Sequence, residues 1–212
     1  MKRTPLFILT FVVLTLASCT SKYAIKGTAR LNQLSGKNIY LRYVDANSCL
    51  VTLDSAQIIH GEFEMRGQAM ASPQLVTLFM DDIPMTPLIL EPGTINVAIA
   101  PNDLMITGTP LNNKLYSFYQ KNQCIEQSEY FNQGKCSFDG ADRINSEHQQ
   151  LIKNFMEYNQ DNILGTTIYS IYYHTYPDLF IDSHFPNQTT SIPGVSDTHP
   201  ENRVMHSGYF LW

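Results

Sequence analysis

Between Tyr23 and Gly108 the chain alternates apolar and polar side chains with a period of two, segment after segment. Alternation of this kind puts every second side chain on one face of an extended backbone, so the apolar faces must stack on one another. Ile39, Leu41 and Tyr43 alternate with Tyr40, Arg42 and Val44, and Phe63 and Met65 with Glu62, Glu64 and Arg66. Ile95, Val97 and Ile99 alternate with Thr94, Asn96 and Ala98. Leu75 to Met80 reads as a strand ended by Asp81, Asp82 and Pro84; Pro87 to Leu90 and Leu104 to Thr107 read as two more. Turn chemistry separates them. His60-Gly61 stands before the Phe63 strand, where a glycine takes the positive φ of a tight hairpin. Glu91-Pro92-Gly93 has the order of a type II turn. Eight or nine strands at this spacing predict an α+β chain. Its residues 23–108 form an antiparallel β-sandwich or partly closed β-barrel of about eight strands, followed by a small helical extension.

The periodicity changes at Leu111. Leu111, Leu115, Phe118 and Tyr119 fall at helical spacing, with Asn112 or Thr109 placed to cap the start. Beyond a break near Gly134, Asp142 is placed to cap a second helix carrying Ile144, Leu151, Ile152, Phe155 and Met156. Asn162 caps a third through Ile168 and Ile171 to about Tyr173, stopped by Pro177. The helical extension is thus 109–176. Residues 177–212, rich in Pro, Ser, Thr, Asn and His, show no periodicity and read as an irregular tail.

The amino end has a different logic. Lys2 and Arg3 precede an apolar run from Leu6 to Leu16, and Leu16-Ala17-Ser18-Cys19 follows. This is the layout of a secretory signal peptide ending in a lipoprotein cleavage box. The run is shorter than the about 20 residues that a membrane-crossing helix needs. Residues 1–18 are expected to be the signal peptide, Cys19 the acylated first residue, and 19–22 a lipidated terminus and linker. Thr20, not aspartate, follows Cys19, which favours a periplasm-facing outer-membrane anchor. Loss of Lys2 and Arg3 from the 14 basic residues, against 19 acidic ones, leaves a formal charge of −7. That balance argues against nucleic acid as a partner and against an electrostatic grip on anionic lipid. The expected membrane contact is through acyl chains, with a protein or peptide as the further partner.

Several short motifs stand in a telling order: Tyr23-Ala24-Ile25-Lys26-Gly27, Leu34-Ser35-Gly36-Lys37-Asn38, Asp54-Ser55-Ala56, Gly61-Glu62-Phe63, Leu90-Glu91-Pro92-Gly93 and Ile106-Thr107-Gly108-Thr109-Pro110-Leu111-Asn112. Together they resemble a β-rich domain of unknown function found at the amino end of thioredoxin-like lipoproteins in Bacteroidetes-type bacteria. The resemblance runs from about Tyr23 to Tyr176. In such proteins a peroxiredoxin- or thioredoxin-like domain with Trp-Cys-x-x-Cys usually follows, its thiolate pKa lowered for disulfide exchange. This sequence contains no Cys-x-x-Cys, and neither Cys124 nor Cys136 matches the motif. The catalytic role therefore does not carry over. The expected function is that of a lipid-anchored envelope protein with a non-catalytic binding or positioning domain and no cofactor. Two alternatives stand beside it: a truncated remnant of a periplasmic thiol–disulfide oxidoreductase, and a carbohydrate-binding accessory lipoprotein.

Other residues invite chemistry. Asp54-Ser55 has the residue types of a hydrolytic site but also those of a strand edge, where aspartate bonds nearby backbone. Glu91 before Pro-Gly reads as a turn residue rather than an acid catalyst. Asp182, His184, His199 and His206 are potential metal ligands without zinc-site spacing, so no metal is expected. His174 reads as a helix-end residue near the last carbonyls. Tyr23, Tyr40, Tyr43, Tyr169, Tyr172 and Tyr173 are the sugar-stacking candidates. Asn187-Gln188-Thr189 fits a glycosylation pattern. Cys124 and Cys136 are spaced to pair across a short loop, which would leave Cys49 as a buried hydrophobe in a strand.

Overall fold

A computed structural model of the chain describes residues 21–101, 103–133 and 138–180. The alternating segments form eight strands: β1 (Lys22–Ala29), β2 (Asn38–Val44), β3 (Leu50–Gln57), β4 (Glu62–Gln68), β5 (Gln74–Met80), β6 (Ile83–Leu90), β7 (Gly93–Ala100) and β8 (Asp103–Thr107). They make two four-stranded sheets, ordered β4-β1-β7-β8 and β3-β2-β5-β6. Two separate sheets, each with its own edges, make a sandwich rather than a closed barrel. The side chains that alternation turns inward meet between them: Ile25, Ile39, Leu41, Leu78, Leu88 and Ile95 are sealed from solvent. The expected antiparallel arrangement fails at one pair. β1 and β7 run parallel, with Tyr23 level with Gly93 and Ala29 with Ile99. β6 ends where β1 begins, so β7, crossing back through Glu91 and Pro92, leaves from that same end.

Two reciprocal contacts pack side chains of β1 and β4 against each other. Tyr23 faces Gly67 across the ladder, and Phe63 faces Gly27. A Cβ on either glycine would overlap the opposing ring, so each aromatic side chain lies directly over bare backbone. The passage from β3 to β4 is the turn foreseen at His60-Gly61. φ is 51° and 80° at the two residues, and Ile59 and Glu62 exchange backbone bonds of 2.9 and 3.0 Å. Pro84 does not end the β5 segment; it lies inside β6 together with Pro87. Proline lacks an N–H, and β6 is an edge strand where that donor is dispensable.

Three helices follow: α1 (Pro110–Gln133), α2 (Phe138–Tyr158) and α3 (Ile163–Tyr172). Pro110 occupies the first helical position, where its fixed φ suits the turn. Asp142 lies inside α2 rather than at its start, because the helix begins four residues earlier. The side chain of Ile144 lies outside the described residues. Asn162 caps α3 as expected, its Oδ1 accepting from Leu164 N–H at 2.9 Å. Its Nδ2 donates to Asn159 Oδ1 at 3.1 Å, and Asn159 Nδ2 donates to the Phe155 carbonyl at 2.8 Å, which fixes the α2–α3 turn. Leu115, Phe118, Ile152, Met156, Leu164 and Ile168 form a second core. Pro177–Phe180 adds a 3-10 turn whose Phe180 is buried in it. The rest of the expected tail, residues 181–212, lies outside the described residues.

Gly27→Ala and Gly67→Ala should each lower folding stability by about 1–3 kcal/mol, the usual range for an overpacked site. Gly36→Ala, where φ is positive but no atom lies within 4 Å of the added Cβ, should lose only about 1 kcal/mol of stability, through backbone strain. Urea denaturation of the three variants would measure the difference.

Candidate functional site

Three buried polar side chains, Glu91, Thr109 and Asn112, lie where the sandwich meets α1. Asn112, in the first turn of α1, is fully buried. Its Oδ1 accepts from Ile89 N–H at 2.9 Å, and its Nδ2 donates to the Ile89 carbonyl at 2.7 Å and to Thr109 Oγ1 at 2.8 Å. The side-chain amide therefore pairs with the outer edge of β6 as a neighbouring strand would. Glu91, also buried, accepts on Oε1 from the N–H groups of Leu111 at 2.8 Å and Asn112 at 3.2 Å. Those donors have no partner inside the helix, and a carboxylate there opposes the positive end of the helix dipole. Glu91 is thus a turn residue, as expected, and also the anchor for a helix twenty positions further on. Gly93 and Gly108, with φ of 121° and 104°, let the chain pass this crowded joint. Gly108 N–H donates to Asn113 Oδ1 at 2.9 Å.

Asp54 is engaged in the same manner. Its Oδ1 accepts from Ser55 N–H at 2.8 Å and its Oδ2 from Tyr23 OH at 3.1 Å. Tyr23 lies in one sheet and Asp54 in the other, so the bond staples the two together. The register slips by one residue between Leu41 and Arg42, which leaves Leu53 as an extra residue in β3 and turns Asp54 toward Tyr23. Burial and the Asp54 carboxylate push the Tyr23 phenol up to about 12. On the outer face of its sheet, Arg42 lies 4.5 Å over the Tyr40 ring and 4.8 Å over the Phe79 ring. It also bonds Asp82 Oδ1 at 3.3 Å.

The remaining candidates do not converge. Cys49 is not a buried strand residue. It ends an exposed turn in which Asp45 Oδ1 accepts from Asn47 and Cys49 N–H at 2.9 and 2.8 Å. Cys124 is an exposed thiol on α1, and Cys136 lies outside the described residues. So do Leu16, Ala17, Ser18 and Cys19, and Asp182, His184, Asn187, His199 and His206. Among the described residues no group of three potential metal ligands comes together. His174 is exposed beyond α3. His148, which the sequence did not single out, is buried in α2, with Nδ1 2.9 Å from Tyr176 OH. Of the tyrosines proposed to stack on sugars, Tyr23 and Tyr172 are buried, and Tyr40 and Tyr43 face opposite sides of β2. Tyr169 and Tyr173 pack against each other with rings tilted by 32° and 5.0 Å between centroids, on α3 and just beyond it. A cavity of about 10 Å³ between α1 and strands β6 and β8, lined by Thr86, Leu104, Asn112 and Leu115, has room for one water at most.

This geometry defines a two-sheet sandwich whose polar groups lock it to the helix that follows. Residues 23–115 match the family model described as Domain of unknown function (DUF4369), so a domain of that description is present in the chain. No curated protein matches the sequence. The matched segment runs past β8 to Leu115 and takes in both Glu91 and Asn112. Two motifs distant in sequence, Leu90-Glu91-Pro92-Gly93 and Thr109-Pro110-Leu111-Asn112, meet in space at this joint.

Asn112→Ala leaves two buried Ile89 backbone groups without partners and should cost about 2–6 kcal/mol of stability, at 1–3 kcal/mol per group. Glu91→Gln, which keeps an acceptor at the helix start, should cost about 1 kcal/mol or less. Equal losses in chemical denaturation would contradict this division of labour. The Tyr23–Asp54 bond makes a separate forecast. A phenol raised in the folded state contributes stability that is complete below pH 10 and lost as pH rises through about 12. Tyr23→Phe should make the stability curve shallower across that window. An unchanged slope would place the sensitivity at Tyr119, whose phenol burial also pushes up.

Proposed function

We propose that this protein is a lipid-anchored, non-catalytic module of the bacterial cell envelope, whose sandwich and helices hold a protein or peptide partner in place. The observation that carries this reading is the commitment of Glu91, Asn112 and Asp54. Each directs polar atoms at the protein's own backbone or at the Thr109 and Tyr23 hydroxyls, in bonds of 2.7 to 3.2 Å. A hydrolytic carboxylate needs a nucleophile or water within reach and room for substrate; Asp54 is occupied instead by a phenol and a backbone amide. Cys49 is bracketed in a surface turn by Asp45, an acid rather than the cation that favours a thiolate. Leu16-Ala17-Ser18-Cys19 supports the anchor, and two or three acyl chains hold far more firmly than one. The resemblance to the amino-terminal domain of thioredoxin-like lipoproteins makes a thioredoxin-like protein the favoured partner class.

Fractionation of cells producing the wild type and Cys19→Ala tests the anchor. The wild type should sediment with outer membranes and the variant should appear in the soluble periplasmic fraction. An insulin-reduction assay tests the absence of redox catalysis, and turnover that depends on Cys124 or Cys136 would overturn the non-catalytic reading.

A further inference from the structure

The anchor and the fold are joined with almost no slack, and this has a geometric result. The Ser21 carbonyl accepts from Ala69 N–H at 2.8 Å, and Lys22 is already paired with Gln68. The expected linker over 19–22 is therefore reduced: Ser21 and Lys22 belong to the sheet. Two peptide units separate Cys19 from Ser21, a reach of at most about 7 Å at 3.3–3.6 Å per residue. A domain so tied cannot stand off from the surface to which residue 19 is fixed.

Strand directions define what lies at this end. β4 runs toward it and continues into Ala69-Met70-Ala71-Ser72-Pro73, an uncharged loop in which Met70 is 43% exposed. β3 runs away from it, out to the crossing at Ile58–Gly61 from which β4 returns. Leu50, at the start of β3 and 46% exposed, therefore sits at the same end, next to the turn of Cys49. The one acid of that turn, Asp45, is engaged with two backbone N–H groups. The opposite end also exposes apolar side chains, Ile59 and Ile83, but among the Lys37–Asp81 ion pair and Asp82.

Resting on the lipid-anchor reading, we propose that the end of the sandwich carrying Met70, Leu50 and the Cys49 turn is a bilayer-contact surface. The two apolar side chains enter the interfacial layer beside the acylated amino terminus. Short loops with protruding Leu and Met, in which the backbone-bonded Asp45 is the one charged side chain, suit that layer, where apolar burial rather than electrostatic attraction holds a protein of net negative charge. The sandwich is then oriented, with the far hairpins directed away from the membrane.

The test uses the full lipidated chain in phosphatidylethanolamine–phosphatidylglycerol vesicles that contain nitroxide-labelled lipid. With Cys124→Ser and Cys136→Ser in place, the native Cys49 carries an environment-sensitive fluorophore. Two further proteins, with Cys49→Ser added, carry it at Met70→Cys or at Ile83→Cys. Quenching by the lipid-borne nitroxide should be several-fold stronger at residues 49 and 70 than at 83. Equal quenching at all three, with protein that floats with the vesicles, would overturn the oriented contact while leaving the anchor intact. Protein that fails to float, or floats equally well as Cys19→Ala, would overturn both the anchor and this inference.

Discussion

The bidentate pairing of the Asn112 side chain with the backbone of Ile89 is the contact on which the two halves of the structure depend. An edge strand presents unpaired N–H and C=O groups, and burying them without partners is costly. Asn112 satisfies both at one residue, so α1 can lie against β6 without leaving orphaned groups beneath it. Ile89 in turn sends its side chain into the helical core, beside Leu115, Phe118 and Ile168. One residue thus has its backbone in the sheet and its side chain among the helices. Glu91 completes the joint by holding the first turn of α1 from the crossover between the sheets.

The same joint explains how the sandwich closes its sides. One side is shut by the chain itself, where β3 turns into β4 at Ile59–Glu62. The other presents the edges β6 and β8, and α1 covers both: its residues line one small cavity with Thr86 and Pro87 of β6 and Leu104 and Ile106 of β8. Two prolines in β6 remove donors that would otherwise face outward. The Tyr23–Asp54 bond then links the two sheets, and the two aromatic–glycine pairs pack β1 against β4. Edge protection and the linking of the sheets are therefore handled by different residues.

What could be read from the sequence follows from the range over which each signal acts. Period-two alternation is local, and the inward positions it marks, such as Ile95, Val97 and Ile99, form the core. The His60-Gly61 turn and the Asn162 cap are equally local and stand where expected. The parallel pairing of β1 with β7 joins residues some seventy positions apart, and nothing near either strand announces it. Pro84 stands inside β6 because proline argues against a central strand but is harmless on an edge, and edges are a property of topology. Asp142 resembles a cap, yet the helix starts earlier at Phe138. Pairing of Cys124 with Cys136 leaves Cys49 as a candidate for the core, whereas the Asp45 turn holds it out. The partnership of Glu91 with Asn112 spans 21 residues; its only trace was that both lie in the motifs that carry the family resemblance.

Ser21 and Lys22 being already woven into the sheet has a mechanical consequence. β1 lies between β4 and β7, with seven residue pairs on each side. A pull arriving through residue 19 would run along the strand axis and be shared by both ladders at once, in shear, rather than peel bonds away singly as it would at an edge. A strand paired on both sides is thus one of the two in its sheet best placed to bear a load without opening the sandwich.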